Sequence, residues 1–84
     1  MEEKVIGKVT HYFGRVGAGM LELSDTLKVG DKIRIKGSST DFTQDVTSMQ
    51  VEHSDITEAK AGDKVGIKVA QKVHEHDVVY KVIG

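Results

Sequence analysis

Residues 58–69 read Glu58-Ala59-Lys60-Ala61-Gly62-Asp63-Lys64-Val65-Gly66-Ile67-Lys68-Val69. The first half is turn chemistry. Glycine reaches positive φ without steric penalty, and an aspartate beside it can hold nearby backbone amides. In the second half Val65, Ile67 and Val69 fall at every second position, with Lys64 and Lys68 between them. A period of two is that of a half-buried strand. The unit is used twice, because Lys28-Val29-Gly30-Asp31-Lys32-Ile33-Arg34-Ile35-Lys36 repeats it position for position. Gly30, Asp31, Gly62 and Asp63 are therefore the expected structural turns, each feeding a strand.

Working outward, the remaining chain also reads as strands. Lys4 to Phe13 opens the fold, with Val5 and Val9 expected inside and Lys8 and Thr10 in solvent. Phe13 to Gly17 is a turn, and Val16 to Leu23 a second strand of unclear parity. Leu27 reads as a core plug in a short connector. Phe42 to His53 reads as one long strand whose apolar parity switches near Thr47 and Ser48, the mark of a bulge or bend. Ser54 to Ala59 is a polar connection with room for one helical turn, and Gln71 to Asp77 a polar loop. Val78 to Ile83 closes the chain. No segment keeps a helical apolar stripe.

These signals predict an all-β fold: a single domain over residues 1–84, built as a small closed, mostly antiparallel barrel of six strands. Closure would remove the exposed edges that invite aggregation. The core would be branched aliphatic, since hydrophobic residues make up 38% with no tryptophan and only four aromatics. The absence of cysteine excludes a disulfide framework or a thiolate zinc site. The formal net charge of −1 differs from that of a strongly basic nucleic-acid binder, although one basic face remains compatible with it. The opening residues lack a signal-peptide core, and no apolar run approaches the ~18 residues of a membrane span. The expected compartment is the cytoplasm.

The order of motifs resembles the β-barrel second domain of translational GTPases such as elongation factor Tu and initiation factor two. Gly7-Lys8-Val9, Leu27-Lys28-Val29-Gly30-Asp31-Lys32-Ile33, Val46-Thr47-Ser48-Met49-Gln50 and Ala59-Lys60-Ala61-Gly62-Asp63-Lys64-Val65-Gly66-Ile67 carry the resemblance. The chain departs from that pattern at Ser24-Asp25-Thr26, where the family usually has a glycine before the leucine. It also lacks the glycine-lysine phosphate loop of the GTPase domain, so no GTP binding is expected of this chain alone. The closing stretch Lys72 to Val82 is similar to that of barrels appended to U32-type peptidases. The resemblance implies a free-standing, elongation-factor-like barrel with a binding role. Its partner would be RNA, a ribosomal component or another protein. The alternative is a protein-interaction accessory of a U32-type peptidase system that positions its substrate.

Three clusters are candidate sites. Lys32, Arg34 and Lys36 project from one strand and Lys64 and Lys68 from its repeat-mate, with Gly66 leaving a gap between the last two. Were the strands adjacent, the five cations would surround a small depression able to neutralise phosphates. The plainer reading is solubilising side chains on exposed strand faces. His74-Glu75-His76-Asp77 is the one dense group of metal-ligand types, with His74 and His76 at i, i+2 and His53 or Asp77 as further ligands; its plainer reading is a polar loop. Gly14, Gly17 and Gly19 lack the helix that would complete an anion site. No spacing pairs a nucleophile with a base, so neither an enzyme activity nor a cofactor is expected. Base-stacking aromatics are scarce, and Phe13 and Phe42 are expected in the core.

Overall fold

The computed structural model describes residues 2–83. The chain is all-β, with ten strands and no helix among the described residues. They are β1 (Glu2–Phe13), β2 (Ala18–Leu23), β3 (Leu27–Lys28), β4 (Lys32–Lys36), β5 (Asp41–Asp45), β6 (Met49–Val51), β7 (Ser54–Ile56), β8 (Glu58–Ala59), β9 (Lys64–Lys68) and β10 (Val78–Ile83). Eight form one antiparallel sheet in the order β5-β4-β10-β1-β2-β9-β6-β7, and β3 pairs with β8 as a separate ribbon.

The expectation of a closed six-stranded barrel is therefore corrected. The ladder ends at β5 on one side and β7 on the other. The stretch read as one strand from Phe42 to His53 breaks at Val46–Ser48, and its halves lie at opposite ends of the sheet order. Side-chain and loop bonds stand where a closing ladder would run. The Gln44 amide on β5 donates to the Lys68 carbonyl at 2.7 Å and accepts from the Ala70 N–H at 2.7 Å. Gly30 N–H donates to Val46 O, and Val46 N–H to Asp31 O, which carries the β4–β5 pairing one step past its Lys32–Asp45 end. The polar connection Ser54 to Ala59 is likewise extended, forming β7 and β8.

The core follows the period-two pattern where the ladder is regular. Ile33 and Ile35 on β4, and Val65 and Ile67 on β9, are buried, as are Leu21 and Leu23 on β2. Each such side chain contributes about 1.5–3 kcal/mol by leaving water. On β1 the pattern breaks. Val5, expected inside, is 51% exposed, while its neighbour Ile6 is fully buried. The cause is a bulge between Val5 and Gly7 in the pairing with β10, where one extra residue moves the following side chains to the other face. Leu27 plugs the core as expected. Val73, in the supposed polar loop, is buried too.

Candidate functional site

Both Gly-Asp turns have the predicted form. Gly30 and Gly62 hold φ of 98° and 91°. Asp31 Oδ2 accepts from Lys28 N–H at 2.9 Å, and Asp63 Oδ2 from Lys60 N–H at 2.9 Å. The aspartate N–H in turn donates to the carbonyl three residues back, at 3.0 Å in each turn. A third copy was hidden in the sequence. His74 N–H donates to Asp77 Oδ2 at 2.9 Å, Asp77 N–H donates to His74 O at 3.2 Å, and His76 takes the glycine position at φ 73°. Strand β10 follows it, as β4 and β9 follow the others. The signal was the Asp-then-strand spacing; histidine in place of glycine masked it.

This turn fixes the chemistry available to the histidines. His74 Nδ1 lies 2.9 Å from the buried Thr40 hydroxyl and 3.7 Å from Asp77 Oδ2. A hydroxyl–imidazole–carboxylate relay needs the hydroxyl and the carboxylate on different ring nitrogens. Here both face Nδ1, which suits a structural clasp. Among the described residues, no three histidine, aspartate or glutamate side chains gather as a metal site requires.

The five cations do not share one ladder neighbourhood. Three strands, β10, β1 and β2, stand between β4 and β9 in the sheet order. On β4, Lys32 and Lys36 lie across from Asp45 and Asp41. Arg34 is engaged on both sides, with Nε and Nη2 on the Asp41 carboxylate at 2.8 Å each and Nη1 on Glu3 at 3.2 Å. The Asp41 and Glu3 carboxylates hold the guanidinium pKa above its usual value, and Arg34 holds Asp41 below the carboxylate range. Ion pairs of lysine or arginine among the described residues involve Lys4, Lys28, Arg34 and Lys81. Lys32, Lys36, Lys64 and Lys68 are in none of them.

The gap foreseen at Gly66 is real and larger than foreseen. Gly66 lies across from Met20 on β2 and from Gln50 on β6, so its missing side chain opens a notch in that row. The notch continues into a groove of about 560 Å³. That lies within the roughly 300–1,000 Å³ span of ordinary ligand sites. Phe13, Val16, Ala18 and Met20 give it an apolar wall, and Lys68 lies at its β9 side. Glu52 and His53, at the β6–β7 turn, form part of its rim. Phe13 is thus corrected from core to wall: it is 43% exposed and meets the His11 ring edge-on at 4.6 Å, while Phe42 is buried as expected. Sequence reading missed this wall because an aromatic just before a glycine turn looks like a strand's last core residue.

Comparison with known proteins agrees with this architecture. The chain is 41% identical over 76 residues to an uncharacterized protease of Methanocaldococcus jannaschii, covering 89% of this chain and 19% of that protein. It is 32% identical over 82 residues to a collagenase of Porphyromonas gingivalis, covering 95% of this chain and 23% of that protein. The chain thus spans about a fifth of the length of these curated relatives. Its fold is that of the C-terminal domain of a putative U32 peptidase from Geobacillus thermoleovorans, with a TM-score of 0.89 at 19% identity over 95% of this chain and 93% of that one. The model of the elongation factor Tu domain 2 family matches residues 10–78, and the chain belongs to that family.

Proposed function

We propose that this chain is a non-catalytic binding module of a U32-type protease system, docking beside the enzyme and positioning protein segments for it. The observation that carries this reading is the apolar groove over Gly66, which suits a polypeptide segment, on a module whose fold recurs as the C-terminal domain of a U32 peptidase. The relatives' names, a protease and a collagenase, support a polypeptide as the thing positioned. The Thr40–His74–Asp77 clasp, with one ring nitrogen doing both jobs, supports leaving the chemistry to the enzyme. The test is co-elution of the purified chain with the U32-type protease of the same genome after nuclease treatment. A stable complex is expected; separate elution at low salt would refute the reading.

Family membership favours a second reading, in which RNA or a ribosomal component is the partner. Lys32, Lys36, Lys64 and Lys68 would then meet phosphates, and affinity would fall steeply with salt. This reading is weaker, because Arg34 is already occupied by Asp41 and Glu3 and the two lysine strands stand apart in the sheet. A salt-sensitive mobility shift with transfer RNA would favour it.

A further inference from the structure

Three locally unfavourable choices meet at the groove. The first is Gly66. Glycine inside a strand weakens it and marks places where a ligand or another backbone comes close. No packing demand accounts for glycine here: its φ is not positive, and an added Cβ would meet nothing nearer than the Gln50 carbonyl oxygen at 3.9 Å. At Gly37, by contrast, a Cβ would collide with the Asp77 carboxylate. The second is the β6–β7 turn, where Glu52 and His53 hold φ of 50° and 65° in positions that glycine and asparagine fill without strain. The third is the apolar wall, with Phe13 at 43% and Val16 at 65% exposure. Breaks in local sequence–structure consistency concentrate where function requires them.

The groove's chemistry selects its occupant. Its apolar wall suits one aliphatic side chain, and the glycine floor lets an extended backbone approach. Lys68, which has no ion-pair partner among the described residues, suits a carboxylate. One phenylalanine in the wall, Phe13, is poorly matched to a run of stacked bases. We infer that this groove is a peptide-binding subsite for an extended segment carrying an aliphatic side chain next to an acidic residue. The inference rests on the docking reading above and names its site and ligand.

The probe is the N-acetylated, C-amidated tripeptide Glu-Leu-Glu, titrated into the ¹⁵N-labelled chain. Saturable amide shifts are expected at Met20, Gly66 and Lys68, with affinity at least about tenfold weaker for Lys-Leu-Lys and for Glu-Ser-Glu. Gly66→Ala, whose methyl group has room, keeps the spectrum of a folded chain and weakens binding. Gly66→Leu abolishes it, and Lys68→Glu reverses the preference between Glu-Leu-Glu and Lys-Leu-Lys. Shifts confined to other strands, equal response to the three peptides, or a response of these amides to an RNA trinucleotide alone would overturn the inference. Undiminished capture of the U32-type protease by Gly66→Leu would overturn the groove assignment and leave the docking reading standing. No capture by the unaltered chain, with its peptide response intact, would overturn the docking reading and leave the groove assignment standing.

Discussion

Replacing His76 by glycine should stabilise this protein. The structure supplies its own reference, since the same turn occurs three times with Gly30, Gly62 and His76 at the equivalent position, at φ 98°, 91° and 73°. A side chain in the left-handed region costs roughly 1–2 kcal/mol. Histidine tolerates that region better than most residues, so the lower figure applies. Against this, glycine gives the unfolded chain more freedom, offsetting about 0.4–1 kcal/mol. The net gain is at most about 0.6 kcal/mol, a rise in Tm of up to about 2–5 °C for a domain of this size. The His76 imidazole is exposed and makes no hydrogen bond or ion pair among the described residues, so its removal breaks nothing that offsets the gain. The reciprocal change, Gly62→Val, should cost about 1–3 kcal/mol. Thermal melts followed by circular dichroism read both. If His76→Gly lowers Tm, or Gly62→Val leaves it unchanged, the three turns are not equivalent and the reasoning fails.

The β1 bulge makes an unequal pair of neighbours: Ile6→Ala should cost about 2–5 kcal/mol in urea unfolding, whereas Val5→Ala should stay within about 0.5 kcal/mol. Equal costs would mean that the parity does not switch. The double change Glu52→Asn with His53→Gly should raise stability by about 1–2 kcal/mol, as a relaxed two-residue hairpin turn would; a fall in Tm would show that these side chains hold the fold. Arg34 lowers the Asp41 pKa in the folded chain, so on acidification the unfolded chain takes up that proton first. The pair's stabilisation is therefore present above the ordinary aspartate value of 3.8 and lost as pH falls through the lower folded value. Asp41→Asn should flatten the acid limb of stability against pH in that window, and an unaltered limb would contradict the pairing.

What could be read without coordinates was whatever repeats locally. Ile33, Ile35, Val65 and Ile67 alternate cleanly and are buried, and both Gly-Asp turns carry their chemistry in four consecutive residues. What escaped was set by partners distant in the chain. The bulge that buries Ile6 and exposes Val5 is a feature of pairing with β10, across most of the sequence. The break after β5 was visible as a change of parity at Thr47 and Ser48. That the two halves part company depends on β5 pairing with β4 while β6 pairs with β9. The third turn was hidden by one residue, His76. At the site, the notch at Gly66 was legible from Lys64 and Lys68 on either side of it. Its walls were not, because Phe13, Met20 and Glu52 reach it from three different elements.

The most direct test of the account is an amide-exchange footprint of the chain in complex with the U32-type protease of the same genome. Slowed exchange across Phe13–Met20, Gln50–His53 and Gly66–Lys68 is the predicted result. Slowed exchange confined to β4 and β5, or none at all, would contradict it.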